Sequence, residues 1–291
     1  MRKISCLVFG IIIFLGTSAQ KTDKKLQTKV QELLNGFHGD AGVYIKNLKT
    51  GKTVSINADT VFPTASMVKV PILIGSMHKI RKGELSYHQP LIYKDSLLYE
   101  GEDIPGSFKS NEKIELSKVL MLMLTTSDNT TSLWLQSLAG AGTCINELMD
   151  SPGFAVTRVN SRTPGRENNR SMYGWGQTSP REMATLLETI YNKQIFDEAS
   201  CIKMMRLLGR NYWDEEGLSQ IPPTVEVFSK NGAVNASRSE VMVVNAPHHP
   251  FVFCIITKNN KDQSRETTNE TRVLTRKLTA LLWNYFEPHF K

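Results

Sequence analysis

The sequence predicts an α/β fold of the α+β kind, with an antiparallel sheet flanked by helices beside a mostly helical lobe. Strand-patterned segments stand near both ends of the chain, and helix-patterned segments fill its middle. The 291 residues show no internal repeat and no low-complexity linker, so two packed lobes sharing a sizeable core are expected.

The elements follow in chain order. Leu26 to Leu34 has helical periodicity. "AGVYIKNLKTGKTVSINAD" predicts a hairpin, with Val43 to Lys46 and Thr53 to Ile56 as strands around a turn at Lys49-Thr50-Gly51. Ser66 to His78 and Ser117 to Leu124 are expected helices, the second with Ser117 as its N-cap. Thr131 to Leu138 and Pro180 to Tyr191 add two more. Strand signals return at Val225 to Ser229, Glu240 to Asn245 and Phe251 to Thr257, before a last helix from about Thr268 to Phe286. Residues 20–61 and 218–291 are therefore expected to build the sheet lobe, and 62–217 the helical lobe, of one domain. A site at their seam would draw on both.

The N-terminus carries Arg2 and Lys3, an apolar run from Ile4 to Leu15, and Thr17-Ser18-Ala19 before Gln20. That is the pattern of a cleaved signal peptide, residues 1–19, and the run is too short for a stable membrane span. A periplasmic or secreted location is expected. Without Arg2 and Lys3, 33 basic residues face 28 acidic ones. No basic block or aromatic-interleaved stripe accompanies that excess, which speaks against nucleic acid. Cys144, Cys201 and Cys254 remain, an odd number at wide spacing that suggests neither a disulfide framework nor a metal site; small apolar filling is their expected role. A monomer acting on a small molecule, without metal or cofactor, is expected.

Three segments carry residues suited to chemistry. In "FPTASMVKVPILIG", Ser66 and Lys69 are three apart and share a helical face. A buried ammonium costs several kcal/mol, so Lys69 either snorkels to water or serves as a neutral base for Ser66. In "TTSDNTT", residues 125–131, Ser127, Asp128 and Asn129 make either a turn with a cap or a proton relay beside an amide-binding group. In "VFSKNGAVNASRSEVMVV", residues 227–244, Lys230 and Arg238 stand on a hairpin as anion-binding groups or as solvated cations. Gly232 permits close approach of a ligand, and the Ala233 N–H could pair with that of Ser66 as an oxyanion hole.

Together the three segments resemble the serine penicillin-recognising enzymes, most closely the class A β-lactamases, whose signature is S-x-x-K, S-D-N and K-T-G in that order. Here they stand as Ser66-Met67-Val68-Lys69, Ser127-Asp128-Asn129 and Lys230-Asn231-Gly232. "FPTAS", the N-terminal hairpin, "TSPREMATLL" at 178–187 and the last helix extend the resemblance over nearly the whole mature chain. It implies a β-lactamase/transpeptidase-like fold and opening of a β-lactam through a Ser66 acyl-enzyme. Lys69 would be the acylation base, and Ser127 the donor to the departing nitrogen. Lys230, Asn231 and Arg238 would hold the substrate carboxylate, and Asn129 its side-chain amide.

Two departures stand out. Asn231 replaces the usual hydroxyl residue, with a different hydrogen-bond geometry. In the loop Arg158 to Ala184, 27 residues that align without a gap, Thr163 falls where the family has its water-activating Glu, and Glu167 falls at a water-positioning Asn. Glu167 is expected either to take over deacylation or to be a solvated glutamate between Arg166 and Arg170. "YGWGQ" is given no chemistry. A D,D-peptidase with a peptidoglycan-like substrate, an esterase or amidase, and a non-hydrolysing β-lactam sensor are the rival readings on the same scaffold.

Overall fold

The structure is a computed structural model that describes residues 21–99 and 103–290. The signal-peptide expectation lies outside the described residues. Helix α1 (Lys24–Leu34) precedes the hairpin β1 (Asp40–Asn47) and β2 (Thr53–Ile56), and a short strand β3 (Phe62–Pro63) leads into α2 (Lys69–Arg81). Then come β4 (Pro90–Ile92), β5 (Lys113–Glu115), α3 (Leu116–Thr125), α4 (Asn129–Leu138) and α5 (Ala141–Asp150). They are followed by β6 (Arg158–Val159), α6 (Glu167–Tyr173), β7 (Gly176–Thr178), α7 (Pro180–Tyr191) and α8 (Glu198–Leu208). Strands β8 (Val227–Val234), β9 (Ser237–Val244) and β10 (Phe251–Lys258) and helix α9 (Glu270–Phe286) complete the chain.

The two ends meet in one antiparallel sheet of order β2-β1-β10-β9-β8. Alternation along its strands sends side chains to two cores. On one face Val43, Ile45, Met242, Val244 and Phe253 pack on Leu26 and Val30 of α1 and on Leu274, Leu278, Leu282 and Phe286 of α9. The four α9 residues recur every fourth position, one stripe of the helix. On the other face Tyr44, Val241, Val243 and Val252 meet Met183, Leu186 and Leu187 of α7 and, beyond them, the helical lobe. Helix α2 runs through that lobe, buried from Lys69 to Met77.

The structure moves several expected boundaries. Ser66 lies not in the α-helix but in a single 3-10 turn, Ala65–Val68, that feeds α2. Ser117 does not cap α3: Glu115 is the cap residue, and the Ser117 hydroxyl donates to the Glu115 carboxylate. Helix α4 starts two residues earlier than expected because the Asp128 carboxylate caps it, accepting from Thr131 N at 2.7 Å. Helices α5, α6 and α8 were not anticipated. Cys201 and Cys254 are buried fillers as expected, whereas Cys144 is exposed and fills no core. No helix among the described residues is long and apolar enough to cross a membrane.

Candidate active site

Ser66 is half-buried, held by a turn that the backbone enters at a strained position: Ala65 has φ +45° without being glycine. One turn later Lys69 is completely buried. Its amine lies 2.9 Å from Ser66 Oγ, 2.7 Å from the Ser127 carbonyl, 3.2 Å from Ser127 Oγ and 2.9 Å from Asn129 Oδ1. Four oxygens surround a group that water does not reach. Burial pulls the Lys69 pKa from 10.5 to about 7, against the opposing pull of Asp128 and Asp103. A substantial share of the amine is therefore neutral at neutral pH.

Ser127 and Asn129 reach this point because the start of α4 is pinned from two sides. Asp128 Oδ2 accepts from Ile104 N at 3.0 Å. Asp103 returns the contact, accepting from Asn129 N at 3.1 Å and from Thr130 N and Oγ1 at 2.8 and 2.6 Å. Ser127 itself sits at φ +61°, a strained conformation that this clamp maintains. Asp103 escaped the sequence reading, since a contact across 26 residues leaves no periodic trace. Asp103→Ala is expected to lower stability by about 2 kcal/mol, the scale of a lost cap with orphaned N–H groups. Urea denaturation measures it.

Strand β8 closes the other side. The Gly232 backbone runs so close to the nucleophile that a Cβ there would stand 2.6 Å from Ser66 N. The Ser239 hydroxyl on β9 ties the strands to the turn by donating to the Thr64 carbonyl at 3.1 Å. Between lobe and strand lies a cleft with two arms that meet at Ser66. One, of about 600 Å³, is lined by Asp103, Ser127, Asn129, Asn231, Ala233 and Arg238, with Tyr212, Trp213, Glu216 and Arg272. The other, of about 430 Å³, is lined by Asn129, Ala233, Arg170 and an aromatic pair, Tyr99 and Trp175, at 5.0 Å between rings.

Seven of the ten expected site residues thus line the cleft: Ser66, Ser127, Asn129, Asn231, Gly232, Ala233 and Arg238. Lys69 stands behind Ser66. Lys230 differs from expectation. It is wholly buried, lines neither arm, and donates to the Asn231 carbonyl at 2.8 Å and to Asn231 Oδ1 at 3.2 Å. Burial and the nearby Lys69 charge hold its pKa well below the ordinary range, with Glu240 opposing. Lys230 thus stands behind Asn231, with its amine on that residue's two oxygens.

Of the two expectations for Glu167, a deacylating base or a solvated glutamate, its position fits the second and corrects the first. Glu167 is exposed, lines neither arm, and its carboxylate accepts from Gly165 N at 3.2 Å at the start of α6. A helix-start carboxylate is stabilised where it stands by the free N–H groups there. Thr163 turns away as well, buried against Gly142 of α5 with its hydroxyl on the Ser161 carbonyl at 2.9 Å. The loop is held by a guanidinium and amides: Arg166 donates to Asn160 Oδ1 and to Gln177 Oε1, both at 2.8 Å, and Asn169 donates to Gln177 Oε1 at 3.0 Å. No carboxylate takes part in that network. Arg272, Glu216 and the aromatic residues Tyr99, Trp175, Tyr212 and Trp213 were also missed, being contributed by loops and by the first turn of α9.

The fold and this site define a hydrolase of the serine β-lactamase type. The chain belongs to the β-lactamase enzyme family, whose profile matches residues 25–286. It is similar to the β-lactamase VEB-1 of Pseudomonas aeruginosa, at 22% identity over 98% of each chain. An imipenem-hydrolyzing β-lactamase of Enterobacter cloacae is 22% identical over 94% of this chain and 93% of its own. Among solved structures, PBP-A superposes with a TM-score of 0.81 at 23% identity, covering 92% of this chain and 98% of that one. A class A β-lactamase from Mycobacterium abscessus gives 0.79 at 21% identity, over 90% and 99%.

Proposed function

We propose that the protein opens β-lactam rings by acylating Ser66 and then releases the acyl group slowly. The supporting observation is the buried Lys69 amine 2.9 Å from Ser66 Oγ. The neutral amine takes the Ser66 proton as the oxygen bonds to the lactam carbonyl carbon. The Ser66 and Ala233 N–H groups hold the oxyanion. As the carbon–nitrogen bond breaks, Ser127 gives its proton to the nitrogen and recovers one from the Lys69 ammonium, which returns the base to its neutral form. Asn129, with its Oδ1 engaged by Lys69, keeps its Nδ2 hydrogens for the substrate amide. Arg238 and Asn231 receive the carboxylate. Every proton movement is assigned to this chain's own side chains.

Slow release follows from Glu167 and Thr163 both being turned away from Ser66. With no carboxylate of their loop at Ser66, activation of the water falls to Lys69. The same observation favours a second substrate, a peptidoglycan-like D,D-peptide whose acyl group passes to an acceptor. The place of action is outside the cytoplasm, after loss of residues 1–19, and as a monomer.

Intact mass spectrometry of the protein mixed with a penicillin tests this. One penicillin per chain is expected, attached at Ser66, persisting for minutes and absent in Ser66→Ala. Glu167→Gln is expected to leave the lifetime of the adduct unchanged. A protein that neither gains mass nor consumes the penicillin would refute the acylation reading. An adduct lost as fast as it forms would refute slow release.

A further inference from the structure

The arm lined by Arg238 contains a carboxyl group that the Ser66 chemistry leaves unused. Glu216 is 8% exposed, and its Oε1 lies 3.6 Å from Arg272 Nε. That Nε is buried and has no hydrogen-bond partner among the described residues, while Arg272 Nη1 donates to Glu215 Oε2 at 2.8 Å. Arg238 spends one bond on the Ser264 carbonyl, at 2.7 Å, and its charge also acts on Glu216. An internal anion thus sits among the guanidinium groups that an incoming carboxylate would use. Two carboxylates cannot both ionise at one partly desolvated spot without a cost of several kcal/mol.

We propose that Glu216 sets leaving-group specificity by occupying the Arg238–Arg272 pair in the free protein. A substrate with a carboxylate at that end must displace it, while a neutral ester or amide end enters without this cost. The inference rests on Ser66 acylation as proposed above. The groups facing Glu216 are Glu215 on its own loop, Arg272 and Arg276 on α9, and Arg238 and the second buried acid, Glu240, on β9. Burial holds Glu216 above the usual carboxylate range against the pull of Arg272, Arg238 and Arg276. It therefore gains its proton early as pH falls, and both guanidinium groups then become available to the substrate.

The test compares acylation of Ser66 by a penicillin and by its methyl ester, followed by intact mass at several pH values. Taking the acid-to-ester rate ratio cancels the titration of Lys69, which both substrates share, and ester acylation reports an intact site in each sample. In the wild type the ratio is expected to rise as pH falls. Glu216→Gln is expected to raise it about tenfold at neutral pH, ~1.4 kcal/mol, and to flatten its pH dependence. Glu216→Asp, which keeps the charge, is expected to keep the ratio low. A ratio that is unchanged or lower in Glu216→Gln would mean that Glu216 positions the arginines for the substrate, and the proposal would fall. If neither compound acylates the wild type, the Ser66 reading fails and takes this inference with it.

Discussion

Lys69→Ala is expected to slow acylation of Ser66 by about 10²–10⁴-fold, the range that a positioned base contributes. The hydroxyl of a serine is a weak nucleophile at neutral pH, and among the described residues the amine is the base placed against it, at 2.9 Å. The pH profile carries a second, independent expectation. The Lys69 pKa is pulled by burial to about 7, and only the neutral amine accepts a proton. Acylation of the wild type should therefore rise as pH increases through about 7 and level off above it. In Lys69→Ala that limb should disappear. Lys69→Arg should be as slow as the alanine variant, because a guanidinium stays charged across the range. Stopped-flow mixing with a chromogenic cephalosporin reads all three.

Gly232→Ala is expected to cost about 10²–10³ in the same rate, the scale of losing one oxyanion donor. The added Cβ would meet Ser66 N at 2.6 Å and Ala65 Cβ at 2.9 Å. Backbone cannot rotate out of the way as a long side chain does, so β8 must retreat from the nucleophile. The Ala233 N–H, proposed above as the second oxyanion donor, then moves away from Ser66 N. The fold should survive, since Gly232 lies towards the end of β8, where Val234 is already 48% exposed. A thermal melt close to that of the wild type, with the acylation rate lost, is the expected pair of results.

What the sequence disclosed and what it withheld divide along the range of the interaction. Ser66 and Lys69 were legible as a pair because three residues is about one helical turn, while the apolar run left both a buried and a snorkelling amine open. The strands of the sheet were legible from short apolar and β-branched runs such as those of β1 and β9, and α7 was placed at its observed bounds, Pro180–Tyr191. Asp103 and Glu216 were not legible, because they act across loops on partners far along the chain. Lys230 was assigned the right neighbourhood, but its place in the motif says nothing about whether the ammonium faces the cleft or Asn231. Glu167 shows the same limit more sharply. An ungapped alignment counts residues but not directions, and the start of α6 gave that carboxylate a local partner in Gly165 N. Helix α5 was hidden by its own entry, where Gly140 and Ala141 both have positive φ and no side chain caps the end.

The sharpest measurement is an NMR titration of the Lys69 ammonium in protein labelled with ¹⁵N-lysine, its signal identified by its loss in Lys69→Arg. A midpoint near 7 is expected for an amine enclosed by Ser66, Ser127 and Asn129. A midpoint close to the ordinary 10.5 would mean a charged, hydrated side chain unable to accept the serine proton, and would contradict the mechanism at its first step.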